Sequence, residues 1–469
     1  MMIDASLTKD VIFTPPPTPN GGLHVGHIAG PYLRADINTK LRKTLGETAA
    51  HLSHIDNYQT YVAKKAIELG LETDAFRHEM IGLIDKDFQR FNIDFDLKID
   101  NTEDSYRRFL TNCLAELFRD SHAVCRFEFI GADKRHSATE AYVSGTCPHC
   151  LQWAFANVCE NCGMPLEIQQ MIRPIEELTG ATTFTQQDSD GVPNAISINR
   201  NDIEWIREQY RNIAIDNRFI TRMLTKLSEH YVVLTLRSDY GFKISDGRVI
   251  NPWVEIFFAH IYSLGRLLEV EPNGTIQDIR RALQINRNIR VSYYFGVDNS
   301  YYYCVLFLLL AKIMNLPNVI PIALKANRFL TLNHRKMSSS KNNVIWARDI
   351  AGKFPVNILR ASLMASCPEY SEIDFDKGFL EDRIPLQIPL SDAQSIFNRP
   401  LTEVGKRFRL TLIELSDPRN FSIEELLNKI NKVTEFFESK RATAIETEEL
   451  RHMVDYLFIQ LNFKVTRHY

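Results

Sequence analysis

Val11-Ile12-Phe13-Thr14-Pro15-Pro16-Pro17-Thr18-Pro19-Asn20-Gly21-Gly22-Leu23-His24-Val25-Gly26-His27 is the stretch that decides how this chain is read. Val11 to Thr14 is a short β-branched and aromatic run, which predicts a strand. The prolines and Asn20-Gly21-Gly22 break it. Beyond them Ile28, Tyr32, Leu33 and Ile37 recur at helical spacing. Strand, loop and helix in that order open a parallel α/β sheet.

Working outward, residues 60 to 120 read mostly as helix, with Gly70 a cap and Phe91 to Asp96 an irregular exit. From Ala123 to Arg200 the character changes to cysteines, glycines, prolines and a polar stretch at Asp188-Ser189-Asp190-Gly191, which predicts an insertion. Periodic segments resume at Ile203, and Ile289 to Phe295 predicts another buried strand. Helical patterning returns at Ile423–Glu438 and Thr447–Leu461 in the last stretch.

The 469 residues are 45% hydrophobic and 24% charged, which excludes a disordered or fibrous protein. A net charge of −3 excludes a uniformly basic surface but not a local basic groove. The longest apolar run, Tyr301 to Ala311, is well short of the roughly 20 residues needed to span a bilayer. Met1-Met2-Ile3-Asp4 lacks a basic stretch followed by an apolar core, so no secretory signal is read. A soluble, cytoplasmic enzyme without membrane contact is the expectation.

Four of the eight cysteines, Cys147, Cys150, Cys159 and Cys162, form two Cys-x-x-Cys pairs. In a long chain with no secretory signal such spacing points to metal rather than disulfides. Four thiolates in two tight turns suit a closed tetrahedral zinc, a structural site with no open position. His24 and His27 lie three apart at a helix start, where free backbone N–H groups favour phosphate. Gly26 between them leaves room for a flat base near the backbone. Lys336-Met337-Ser338-Ser339-Ser340-Lys341 sets two cations around three hydroxyls, which suits a polyphosphate.

His-Val-Gly-His near the start and Lys-Met-Ser-Ser-Ser some 300 residues later resemble the two signatures of class I aminoacyl-tRNA synthetases. Pro17 to His27 is similar to the opening of the methionyl-tRNA synthetase group. So are His54-Ile55-Asp56-Asn57-Tyr58-Gln59-Thr60, the cysteine knuckle, Phe295-Gly296-Val297-Asp298-Asn299 and Ile373-Asp374-Phe375. The resemblance runs from about residue 8 to 380. It implies a Rossmann-like parallel sheet split by a zinc-knuckle connective insertion, with a short α-helical C-terminal tail. The implied organisation is a first catalytic half at 1–120, the insertion at 121–230, a second half at 231–330, a signature-loop and stem region at 331–383, and the tail at 384–469.

The resemblance also implies the chemistry: an amino-acid carboxylate attacks the α-phosphorus of ATP, which is bound with Mg2+, and pyrophosphate leaves. His24, His27, Lys336 and Lys341 are the implied catalytic residues. Asn20, Gly26, Asp298, Ser338 and Ser340 are implied at ATP. Asp56 matches the carboxylate that grips the α-ammonium group, and Arg237 an active-site arginine. Thr18, Trp253, His260 and Tyr303 complete the implied amino-acid site.

The chain departs from the family at several points. Ser339 stands where a second signature lysine is usual, with Lys341 as the substitute. Trp253-Val254-Glu255 runs into Ile256-Phe257-Phe258-Ala259-His260 instead of Ala-Pro-x-x-Tyr. Thr18 replaces a tyrosine and Tyr303 a histidine. These changes argue for an amino acid other than methionine, and a more polar one. The tail after Arg383, interrupted by Pro385, Pro389, Pro400 and Pro418, shows no basic stripe of the kind tRNA contact favours. The expected function is therefore adenylate formation with transfer to a small-molecule acceptor. A shortened methionine–tRNA ligase, or an idle binding paralogue, are the alternatives. The sequence does not fix the oligomeric state.

Overall fold

The structure is a computed structural model describing residues 9–120, 123–215, 218–245, 247–337, 343–375, 401–438 and 444–461. Strands β1 (Lys9–Phe13), β2 (Thr48–Ser53), β3 (Leu97–Lys98), β4 (Ala214–Ile215), β5 (Ile289–Gly296) and β6 (Ala323–Asn327) make one sheet. Its order is β4-β6-β5-β1-β2-β3. Every pairing is parallel. The central strands are buried along nearly their whole length, which is why Val11-Ile12-Phe13 reads as continuous rather than alternating.

The chain steps outward from β1 to β2 and β3 on one side, and from β5 to β6 on the other. The direction reverses between β1 and β5, where Phe13 lies opposite Tyr293. Loops leaving the carboxyl ends of such neighbours diverge and open a crevice, where open α/β sheets bind ligands. A buried carboxylate locks this junction. Asp10 of β1 accepts from Arg290 of β5 at 2.7 and 2.9 Å. It also pairs with Arg42 at 2.6 Å.

Helix α1 (Leu33–Thr44) is reached through a wider turn at Ile28–Tyr32. Gly30 leaves helical geometry there with ψ −109°, and Pro31 follows. A Cβ on Gly30 would lie 2.7 Å from the Asn327 amide nitrogen, so only glycine lets this turn pack on β6. Residues 60 to 120 are largely helical, as Thr60–Leu69, Thr73–Arg90 and Asp104–Asp120. Gly70 ends the first of these at φ +66°. The patterning did not reveal β3 or β4; each has two residues, too few for any periodicity, and exists because the sheet edge pairs with it.

Small antiparallel sheets fill much of the span between Ala123 and Ile250. Val143–Thr146 pairs with Trp153–Phe155 and Ile172–Glu176 around the cysteines. In the tail, Ile423–Glu438 and Ala444–Gln460 are helical, and Glu403–Ser416 adds a helix the sequence reading did not anticipate. Pro385, Pro389 and Pro400, and the expected boundary at 383/384, lie outside the described residues. The tail does not hang free: Phe408, Leu412, Phe421, Met453 and Leu457 share a core with Ile28, Leu33 and Ile37. Among the described residues no helix is long and apolar enough to cross a membrane.

Arg360 fastens this assembly. Its guanidinium is fully buried and pairs with Asp36 at 2.7 Å. It also donates to the carbonyls of Phe91 at 2.7 Å and Leu461 at 3.0 Å, tying the tail to the sheet domain. Removing one member of a buried pair leaves the other charge uncompensated. Arg360→Ala is expected to destabilise the protein by about 3 kcal/mol or more, read as a lowered denaturation midpoint; an unchanged midpoint would show that the tail is not held this way.

Candidate active site

A cavity of about 360 Å3 opens at the switch point between β1 and β5. The loop after β1 brings Thr18, Asn20, Gly22, His24 and His27 to it. The loop after β2 brings Asp56 and Gln59, and the turn after β5 brings Asp298. Lys336 enters from a hairpin of Leu330–Leu332 and Arg335–Lys336. Asp374 pins that hairpin by accepting from the Thr331 hydroxyl at 2.6 Å and the His334 N–H at 2.7 Å.

The two sequence signatures meet through the backbone. Val25 N–H donates to Ile345 O at 3.0 Å, and Ala347 N–H donates to Leu23 O at 2.9 Å. The segment after the signature lysine is thus zipped onto the His24 loop.

His24 caps the short helical turn that follows it. His24 and His27 each accept from the other's backbone N–H through Nδ1 at 3.3 Å, and their rings stack 3.6 Å apart. Gly26 has no Cβ because one would lie 3.0 Å from the His24 ring; its room serves the histidine pair itself. Burial, then His27 and Lys336, hold the His24 pKa well below the usual imidazole value. His27 keeps an edge open to the cleft, yet desolvation by the surrounding walls, with Lys336 adding to it and Asp298 opposing, brings it to about 4. Both rings are neutral at physiological pH and carry N–H groups for an anion.

Lys336 is about a third exposed and sits between two carboxylates, 3.1 Å from Asp298 and 3.0 Å from Glu160. Its ammonium also lies 4.3 Å from the Phe329 ring centre. Burial works against its charge, but Glu160 and Asp298 more than offset that and raise its pKa.

Asp56 lies at the inner wall. Its Oδ2 accepts from the Thr18 hydroxyl at 3.0 Å and the Gln59 amide at 3.1 Å, while Oδ1 has no partner among the described residues. Burial lifts its pKa to about 7 against those two hydrogen bonds.

Trp253 lines the cavity, stacked on Tyr302 at 3.7 Å. His260 and Tyr303 lie one layer behind it and do not line the cavity. His260 stacks on Phe13 at 4.3 Å, and Tyr303 on Phe295 at 4.8 Å. Arg237 is not at the cavity either. It pairs with Glu128 at 3.1 Å and with Asp190 in the insertion, so its guanidinium is spent on joining two small sheets. Ser338, Ser340 and Lys341, with Ser339, lie outside the described residues. Sequence reasoning missed Tyr61, Glu140, Glu160 and Tyr302, all of which line the cavity. Glu160 was in plain view between Cys159 and Cys162, but nothing local to it signals a partner far along the chain.

In the knuckle, the Cys147 and Cys162 sulfurs are 3.8 Å apart and those of Cys150 and Cys159 3.6 Å. All four Sγ atoms lie within 4.8 Å of one another. Tetrahedral zinc with bonds of about 2.3 Å separates its sulfurs by about 3.8 Å, so this donor set is compatible with that ion.

A parallel sheet with a cleft at its switch point, two stacked histidines after the first strand and a lysine returning beside them is the layout of a class I synthetase core. The family model described as "tRNA synthetases class I (M)" matches residues 10–388, and the chain belongs to that family, with a methionyl-type core. It is 24% identical over 380 residues to the methionine–tRNA ligase of Christiangramia forsetii, covering 76% of this chain and 52% of that protein. It is 23% identical over 385 residues to the Porphyromonas gingivalis ligase, covering 80% and 55%. The chain thus spans about half the length of the curated relatives it matches. Its fold is that of a Mycobacterium tuberculosis methionyl-tRNA synthetase solved with methionyl-adenylate. The TM-score is 0.65 at 14% identity, over 96% of this chain and 89% of that one.

The knuckle gives a direct test. The protein is expected to carry one zinc per chain by elemental analysis, and Cys159→Ser to lose it while exposing residues 143–172 to protease. A folded, protease-resistant knuckle in the metal-free protein would exclude the assignment.

Proposed function

We propose that the chain activates an amino acid with ATP and passes the aminoacyl group to tRNA. The observation that carries this reading is the convergence of His24, His27, Lys336, Asp298 and Asp56 on one cleft at the sheet's switch point. The similarity to methionine–tRNA ligases favours tRNA as the acceptor. The expectation of a small-molecule acceptor has no support in this structure or these likenesses.

Under this reading Asp56 receives the α-ammonium group through its unpartnered Oδ1, which turns the substrate carboxylate toward ATP, bound with its Mg2+. A carboxylate oxygen attacks the α-phosphorus as the bond to pyrophosphate breaks. No protein nucleophile is required, because phosphoryl transfer is governed by position and charge. Neutral His24 and His27 donate to phosphate oxygens. Lys336 moves off its two carboxylates to the pyrophosphate, where negative charge accumulates in the transition state. Asp298 stands beside the nucleotide, and Asn20 lines the same wall. Trp253 and Thr18 border the amino acid; His260 and Tyr303 back that border from behind. The four cysteines would hold a structural zinc, and Glu160 lies between Cys159 and Cys162 of that set.

Two predictions follow from this chemistry. His24→Ala and Lys336→Ala are expected to slow ATP–pyrophosphate exchange about 100-fold or more while leaving amino-acid affinity nearly intact, since both act on the phosphates. Charging of bulk tRNA with a labelled amino acid tests the acceptor; adenylate that forms but never reaches tRNA would remove that half of the reading. The second concerns pH. With its pKa near 7, Asp56 is largely neutral below that value and pairs poorly with an ammonium group. Apparent amino-acid affinity should therefore rise between about pH 6 and pH 8, and Asp56→Asn should flatten that rise. A pH-independent affinity in the native protein would remove Asp56 from this role.

A further inference from the structure

We propose that the amino acid this site takes carries a side-chain cation, an amine or guanidinium group, which Glu140 receives in the cavity it shares with Tyr61, Trp253 and Tyr302. The inference rests on the amino-acid-activation reading and names its substrate class.

Glu140 belongs to the insertion but lines the cavity, with only 2% of its surface exposed. Its backbone is held at φ +53°, a conformation costly for a residue with a side chain and kept where the surroundings over-determine it. Asn157 links it to the amino-acid end of the cleft: one amide nitrogen donates to the Glu140 carboxylate and to the Tyr302 hydroxyl, the latter at 3.3 Å. Tyr302 in turn stacks on Trp253. Tyr61 lines the same cavity. A carboxylate that shares one cavity with aromatic side chains suits an organic cation, which meets charge from the first and ring quadrupoles from the others.

The balance of donors and acceptors points the same way. The Thr18 hydroxyl and the Gln59 amide nitrogen both donate to Asp56, and the Asn157 amide is spent on Glu140. Asp56 Oδ1 and Gln59 Oε1, on residues at least 97% buried, have no partner among the described residues. Lys336, a cation at the same cavity, is engaged by Asp298 and Glu160. The amino-acid end thus keeps Asp56 Oδ1 and Gln59 Oε1 open as acceptors, which a ligand bringing donors would satisfy. An α-ammonium group answers Asp56 and Gln59. Glu140, whose carboxylate accepts from Asn157, has acceptor room for a second donor, which a thioether or alkyl side chain does not have. The aromatic walls would suit an apolar side chain equally well; the buried carboxylate is what tells the two apart, because sites built around polar groups reject ligands that leave them unpaired.

The test uses the full chain and needs no ATP. Calorimetric affinities are measured for lysine, ornithine, 2,4-diaminobutyrate and arginine against norleucine and methionine. At least one cationic amino acid is expected to bind about tenfold or more tighter than norleucine. Glu140→Gln is expected to collapse that ratio toward parity. Methionine or norleucine binding tightest overturns the proposal, and so does a Glu140→Gln variant that weakens all ligands alike with the ratio intact, the mark of a merely structural carboxylate. Exchange assays on the same ligands separate the two readings. A bound cationic amino acid that is never adenylated upholds the pocket and ends the activation reading, whereas efficient adenylation of an apolar one does the reverse.

Discussion

The parallel pairing of β1 with β5 is the constraint on which the rest depends. It joins Lys9–Phe13 to Ile289–Tyr293, segments some 280 residues apart in sequence. Once they pair, the loop carrying His24 and the turn carrying Asp298 must leave the same edge side by side. Asp10 reinforces the junction from beneath, because its carboxylate is shared between Arg290 on β5 and Arg42 on α1. Arg290 continues to Asp417 at 3.0 Å, so the same charge chain reaches the tail. Contacts of such sequence separation carry a large loop-closure cost and form late in folding. The sheet around the cysteines, whose strands Val143–Thr146, Trp153–Phe155 and Ile172–Glu176 follow one another closely in sequence, carries less of that cost.

The insertion nevertheless contributes to the cleft. Glu140 and Glu160 both come from it, and Lys336 of the signature loop is shared between Glu160 and Asp298. A cation held between two carboxylates near a partly open surface is in place without being trapped, since each pair is part-solvated and individually weak. Deeper in, the balance changes. Burial lifts Asp56 to about 7 and Glu140 to about 8, with the Asp56 charge adding to the rise at Glu140. Glu255, held by Asn101 and Tyr106, reaches about 8 for the same reason. The cleft therefore grades from a mobile ion pair at its mouth to carboxyls whose ionisation awaits a positive partner.

How much of this was legible in the sequence followed from how local each feature is. His24, His27, Asp56, Asp298 and the cysteines sit in contiguous motifs, and the structure brings the first four and Lys336 to one cavity. Strands β3 and β4 were illegible, because two residues that pair at a sheet edge carry no period of their own. Arg237 looked like a site residue by position alone, but Glu128 and Asp190 claim its guanidinium. His260 and Tyr303 were placed one layer too close, since spacing along a helix gives the face of a side chain and not how many rings stand in front of it. Glu140, Glu160 and Tyr61 had no signal at all. Their roles are made by tertiary contacts, with partners such as Lys336 and Tyr302 more than 100 residues away.

The departures from the family pattern can now be weighed by where they fall. Those at residues 256 to 260 and at Tyr303 lie in or behind the wall that Trp253 presents, and Thr18 reaches the site as a donor to Asp56. Behind the wall, His54, His260 and Tyr303 carry buried ring nitrogens and a hydroxyl without partners among the described residues. Polar atoms so placed cost about 1–3 kcal/mol each when unsatisfied, a cost an apolar layer avoids. Of the groups proposed to face the phosphates, His24, His27 and Lys336 are retained and converge on one cavity, while the departure at Ser339 lies outside the described residues. Loss of function would have no reason to spare that side while remaking the other. A set of changes concentrated at the amino-acid wall, with His24, His27 and Lys336 kept, fits altered substrate choice on the proposed reaction.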